Sequence, residues 1–129
     1  MAVTHSTAAR NAATDAVTAL IGGTGNLTFR LTGTVGAPGA VVATLPLSAT
    51  AFGASATGTA TANAITSDTN AAGNASPVAN AAIQTGAAVL VIHCAVAASA
   101  SDINMTNGLT ITAGDTVTCT SLTYTALSA

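Results

Sequence analysis

A chain of 129 residues with no charge run or proline-rich divide is the size of one domain. Its formal charge is −2, only 5% of its residues are charged, and lysine and glutamate are absent. Two arginines cannot neutralise a phosphate track, and Phe29, Phe52 and Tyr124 are too few for a base-stacking platform, so nucleic acid is not an expected partner.

Half of the residues are hydrophobic and the mean hydropathy is +0.62, but much of that comes from alanine. Only 27 of the 129 residues are Val, Ile, Leu or Phe. A buried large aliphatic contributes roughly 1.5–3 kcal/mol and an alanine methyl about 0.8 kcal/mol, so the core of a lone subunit is expected to be thin and to be completed by partner subunits. A hydroxyl and amide surface with so little charge also repels its own copies weakly, which favours close assembly.

The N-terminal MAVTHSTAARNAATDAV lacks a basic segment followed by a long apolar one, so no secretory signal is expected and the chain is read as made and kept in the cytoplasm. Thr4 or Ser6 can cap a helix that runs through alanine-rich sequence to Leu20 and stops at Gly22-Gly23. Ala9, Ala13, Ala16, Val17, Leu20 and Ile21 recur at helical spacing and predict a weakly apolar stripe. Such a helix either lies on the β domain or reaches a neighbouring subunit. Gly22-Gly23-Thr24-Gly25 follows a helix and precedes a strand, the reverse of a phosphate-cradling order, and reads as a cap and turn.

Leu27, Phe29 and Leu31 then alternate with Thr28, Arg30 and Thr32, the period of a half-buried strand with a threonine face. Gly33 to Ala40 reads as a flexible surface loop. Val41, Ala43, Leu45 and Leu47 share a face, and Pro46 marks an edge or a bulge. The stretch from Val41 to Thr69 looks like the organising centre, with Phe52-Gly53 as a core anchor and turn between two alternating runs. Ser67 to Pro77 is turn-rich. Val78 to Ile83 predicts a weak strand, and Val89 to Val96 the strongest, with both faces covered. Ala87 to Ala98 is the longest nearly unbroken apolar run, too short to span a membrane as a helix and interrupted by His93, so no membrane partner is expected.

Ile103 and Met105 begin an edge, Asn107-Gly108 is a turn signal, and Leu109 and Ile111 continue towards Ala113-Gly114-Asp115. The last strand is expected from Thr116 to Thr125, its apolar phase shifting from Val117 and Cys119 to Leu122 and Tyr124 through a bulge near Ser121. These signals predict a mainly β protein, a β-sandwich or jelly-roll-like domain of about 7–8 short strands with one N-terminal α-helix. The organisation is an N-terminal segment over residues 1–22 and a β domain over residues 23–129.

Candidate chemistry is sparse. His5 and His93 have no partner at ligand spacing, so no metal site is expected. Cys94 and Cys119 each fall in an apolar phase and are read as free, buried thiols of a cytoplasmic chain. No Gly-x-Ser-x-Gly elbow is present, and Asp68, Asp102 and Asp115 sit in predicted turns, where Asp caps its own backbone. Neither catalytic residues nor a cofactor are expected, and the chain is not read as an enzyme. Asn26-Leu27-Thr28, Asn74-Ala75-Ser76 and Asn104-Met105-Thr106 match the glycosylation pattern but read as turn asparagines and strand threonines.

Thr4-His5-Ser6-Thr7-Ala8-Ala9-Arg10-Asn11, Ala43-Thr44-Leu45, Ala51-Phe52-Gly53-Ala54 and the run Thr61 to Thr69 together resemble a family of small virion-associated proteins of tailed bacteriophages. The ending, Ile111 through Ala113-Gly114-Asp115-Thr116-Val117 to Leu122-Thr123-Tyr124-Thr125, is similar to the same family. The chain departs from the family pattern at Ser48-Ala49-Thr50, where an acidic turn with Pro is more usual, and in the more apolar Val89 to Ala98. The resemblance implies a capsid decoration or cement protein on the outer surface of a phage head. Its partners would be the major capsid protein and copies of itself, with a trimer as the expected homo-oligomer, assembled in the host cytoplasm. A receptor- or glycan-binding fibre or adhesin domain is the alternative, and a tail-tube or connector component a third.

Overall fold

In the structure, a computed structural model that describes residues 3–127, Ser6 starts the helix by accepting the backbone N–H of Ala9 on its hydroxyl at 3.2 Å. Helix α1 (Thr7–Ala19) ends at Leu20, and Gly22, at φ 75°, turns the chain out in the left-handed conformation that glycine adopts most readily. The predicted apolar stripe docks only in part: Ala13 and Val17 are half-buried and Ile21, just past the helix, is in the core. Ala9, Ala16 and Leu20 are exposed, whereas Thr14 is fully buried at 0% exposure. The polar side of α1 lies against the turn at residues 55–58, so the helix rests on the β domain. Alanine methyls bury little surface, and a turn outside any ladder needs hydrogen-bond partners that Asn11, Thr14 and Asp15 supply.

Nine short strands follow among the described residues. These are β1 (Asn26–Arg30), β2 (Gly33–Thr34), β3 (Ala37–Pro38), β4 (Val41–Pro46), β5 (Thr59–Thr61), β6 (Asn80–Gln84), β7 (Leu90–Ala97), β8 (Ile103–Asn104) and β9 (Thr123–Thr125). Five form one curled sheet in the order β4-β1-β6-β7-β8, antiparallel except for β7 with β8, while β2–β3 and β5–β9 form two small sheets. The protein is thus mainly β with one N-terminal helix. The β2–β3 hairpin replaces the flexible loop predicted for Gly33 to Ala40.

Three burial expectations are corrected. Strand β1 is central and covered on both faces, so Thr28 and Arg30 are buried at 1% and 8% exposure. The weakly apolar β6 is buried along its whole length between β1 and β7. Strand β7, the most apolar in sequence, is mostly half-exposed, with Cys94 its one buried residue. Side-chain hydropathy measures how much a strand gains from burial, but position in the sheet is settled by which neighbours it pairs with.

On β4, the register shift places Phe29 opposite Ala43 and Arg30 opposite Val41, so Val42 is the extra residue and is buried while Val41 faces out. Pro46 sits on the edge strand, where a missing N–H costs no ladder bond. Phe52 bridges Ala62 and is buried, and Gly53 N–H donates to Thr61 O at 3.0 Å, so this corner is a core anchor. It joins Leu27, Phe29, Leu45 and Ile83 of the large sheet to Ala60, Ile111 and Leu122 from the rest of the chain in one cluster.

The expected final strand is mostly irregular. Val117 pairs singly with Asp68, and the ladder resumes only at Thr123 opposite Thr61, a register slip of one residue. Residues 118–121 between these two points have no strand partner, in place of a paired bulge near Ser121. The burial phase still shifts as predicted, from half-buried Val117 and Cys119 to buried Leu122 and half-buried Tyr124. Leu109 and Ile111 also lie outside any strand, and their carbonyls accept Val78 and Asn74 N–H at 2.8 Å each. Gly73, at φ 66°, permits that approach, since a side chain there would meet the backbone of Ala113.

Candidate functional site

Strand β8 ends the large sheet, and the irregular residues 118–121 help to wall the groove beside it. The groove is open and has a volume of about 600 Å³, within the size of sites that hold small ligands or short segments. Buried Phe29 and Ile111 reach its lining, while Asn104, Thr106, Thr118 and Thr120 present amide and hydroxyl groups. The backbone N–H groups of residues 118–121 donate to no described residue. A second hollow of about 370 Å³ lies between Asp15 and Thr18 of α1 and the turn from Ala49 to Ala54.

All four carboxylates are committed to backbone amides. Asp15 accepts Ser55 N–H at 2.9 Å, Asp68 accepts Thr44 N–H at 2.9 Å and Asn70 N–H at 3.0 Å, Asp102 accepts Ala95 N–H at 2.9 Å, and Asp115 accepts Thr112 N–H at 2.9 Å. The sequence reading placed Asp68, Asp102 and Asp115 on their own turns. That holds for Asp115 and for one oxygen of Asp68, but Asp102 serves β7 where β8 leaves it uncovered, and the other oxygen of Asp68 serves the edge strand β4. No sequence signal distinguishes a turn aspartate that caps locally from one that reaches a strand edge.

Arg30 forms a site that sequence reasoning missed. Its guanidinium donates to Gln84 Oε1 at 2.6 Å, to Gly39 O at 2.6 Å and to Thr28 Oγ1 at 3.2 Å, all neutral acceptors. Three polar atoms are buried without a described partner, Arg10 Nε at the helix and Asn80 Oδ1 and His93 Nδ1 in the large sheet. Asn80 is opposite Arg30 in the β1–β6 register, and His93 opposite Ala82 in the β6–β7 register. The arrangement cross-links β1, β6 and the β3–β4 connection without leaving a carboxylate or nucleophile to react.

Cys94 belongs to the core cluster and Cys119 packs against it, and both are free thiols. Burial, with a smaller contribution from the Asp102 carboxylate, pushes the Cys94 thiol up to about 11. Burial also raises Cys119, partly offset by a backbone hydrogen bond at Ser121. A neutral thiol is a poor nucleophile and metal ligand. No group of three or more His, Cys, Asp or Glu able to hold a metal ion occurs among the described residues.

The three glycosylation-like triplets have structural uses: Thr28 donates to Ala82 O at 3.1 Å, Asn74 accepts Ser76 N–H at 3.0 Å, and Asn104 accepts Ser101 N–H at 3.0 Å. Among the described residues no helix is long and apolar enough to cross a membrane. Compared with known proteins, the chain matches no protein-family model, no curated protein and no solved structure.

Proposed function

We propose that the chain is a structural virion protein, a decoration or cement protein that binds the outer surface of a tailed-phage head and stabilises it. Its partners are the major capsid protein and copies of itself, in a homo-oligomer for which three copies is the natural first expectation. The bacteriophage assignment rests on the resemblance carried by Thr4 to Asn11, Ala51 to Ala54, Thr61 to Thr69 and the ending from Ile111 to Thr125.

The observation that supports a structural role is the use of the carboxylates. Each one holds a backbone amide, and the remaining outer surface is hydroxyl, amide and methyl. Such a surface suits dense packing among identical neighbours, where association stabilises the folded form by mass action. Electron microscopy of the parent particle tests the proposal, together with the copy number per virion. Hundreds of copies and density on the head are expected, and density confined to the tail sinks it.

The hydroxyl- and amide-lined groove beside β8 favours one second reading, a glycan-binding fibre or adhesin domain. Specific, saturable signals on a glycan array, lost with Asn104→Ala or Thr118→Ala, would move the assignment there.

A further inference from the structure

Asn107-Gly108 closes the turn that follows β8, and it is the one place in the sequence where an asparagine precedes a glycine. Gly108 N–H donates to Met105 O at 3.4 Å, the long end of the hydrogen-bond range, so the turn holds this nitrogen loosely. Gly108 is at φ 106°, and the space where a side chain would stand is empty to 4 Å. Asn107 is exposed, and its side-chain amide bonds to none of the described residues. Both residues line the groove beside β8.

The other asparagines are held or shielded. The side-chain amides of Asn11, Asn63, Asn74, Asn80 and Asn104 each make a hydrogen bond to the backbone. Asn26 and Asn70 precede Leu27 and Ala71, both buried, and Ala71 N–H is bonded to Asp115 O at 3.0 Å. A side chain on the following residue crowds the approach of its backbone nitrogen to the asparagine amide, and glycine has none.

We propose that Asn107 is a site of spontaneous deamidation. The backbone nitrogen of Gly108, after giving up its proton to base, attacks Cγ of Asn107. The bond from Cγ to the side-chain nitrogen breaks, ammonia leaves, and a cyclic succinimide joins the two residues. Water then adds to one of the two ring carbonyls and opens the ring, giving aspartate or isoaspartate, with nothing oxidised or reduced. Either product adds a carboxylate to a groove lining that holds Asp102 and Asp115, and takes the formal net charge from −2 to −3. Isoaspartate also routes the main chain through the side-chain carbon and so lengthens the turn after β8. The groove wall thus carries a slow, self-timed change of charge that needs no enzyme and does not depend on the virion assignment.

The test is to age the full-length protein at pH 6 and at pH 8 and follow it by ion exchange. An acidic species is expected to accumulate, faster at pH 8 because the attacking nitrogen must be deprotonated. Denatured and cut before aspartate, the unaged chain yields a peptide of residues 102–114 that contains both Asn104 and Asn107. The acidic species should show an added cut before residue 107 for the aspartate product, and an uncut peptide that an isoaspartyl methyltransferase labels for the other. The acidic species should be lost in Asn107→Ser. An acidic species that persists in Asn107→Ser, a charge gain that maps to Asn104 or Asn70, or equal rates at pH 6 and pH 8 would each overturn the inference. So would an unchanged protein after a time in which the free peptide of residues 102–114 converts fully.

Discussion

Asp102 accepts the backbone N–H of Ala95 on β7 at 2.9 Å, just short of the two residues that β8 covers, and Asp68 does the same for Thr44 on the edge strand β4. Two of the four carboxylates therefore occupy strand-edge amides that a second strand would otherwise take, each with a charge that discourages edge pairing. Asp102→Ala is expected to cost about 1–2 kcal/mol, the value of a charge-assisted hydrogen bond discounted for its exposed position. It should also increase self-association along the part of β7 that β8 leaves uncovered. Denaturant melts and light scattering across a concentration series check both effects; unchanged stability together with unchanged association would count against the edge role.

Thr14 holds the helix to the β domain. Its hydroxyl donates to Gly58 O at 2.6 Å and accepts Ala126 N–H at 3.1 Å. Thr14→Val keeps the volume and strands both backbone groups, for an expected loss of about 2–3 kcal/mol. Ala16→Ser, on the exposed side of α1, should change stability by less than about 0.5 kcal/mol. Amide hydrogen exchange over residues 55–58 is expected to accelerate only in Thr14→Val.

Arg30 and Gln84 should behave as a unit. Arg30→Met leaves Gln84 Oε1 and Gly39 O without their donor, an expected loss of about 2–4 kcal/mol. Adding Gln84→Met removes one of the stranded acceptors and should recover about 1 kcal/mol or more, measured as the coupling in a double-mutant cycle. Strict additivity would show that the two side chains are energetically independent.

Phe52 anchors the corner between Ala51 and Ala62. In a core with few large side chains, Phe52→Ala is expected to cost about 3–5 kcal/mol. A variant that melted like the parent would place the corner at the periphery of the fold.

The Cys94 thiol gives a pH dependence whose sign is fixed. Its value is about 11 in the folded protein against an ordinary 9.0, so above pH 9 the unfolded chain releases the proton more readily than the folded one. The corresponding stability is full below pH 9 and is lost as pH rises towards 11. Relative to Cys94→Ala, the parent should lose on the order of 2 kcal/mol across that window in urea melts. At pH 8 an alkylating reagent should label Cys119 well before Cys94.

Ser6 as the helix cap, the glycine exit after α1, the Asn107-Gly108 turn and the burial of Phe52 were all legible in the sequence, because each depends on residues within one or two turns of chain. The β content and the late phase shift from Val117 and Cys119 to Leu122 and Tyr124 were legible for the same reason. Position in the sheet was not. Strand β6, with two alanines flanked by amides, became central, and the more apolar β7 remained half-exposed. Periodicity reports a preference for burial, while pairing order depends on contacts far apart in sequence. The candidate groove was invisible for a related reason: it arises where the pairing from Asp68 to Thr61 slips by one residue and leaves 118–121 without a partner.

The sequence by itself determined a lysine-free, weakly charged β chain with one capped helix and few large core residues. Only the tertiary structure decided where the sparse polar groups went. Arg30 meets Gln84 across 54 residues, Thr14 meets Gly58 across 44, and Asp68 meets Thr44 across 24. These pairings exist because buried or edge backbone and side-chain polar groups must find partners once water is excluded. Which distant residue satisfies that demand is set by how the sheet curls, and local sequence carries no record of it.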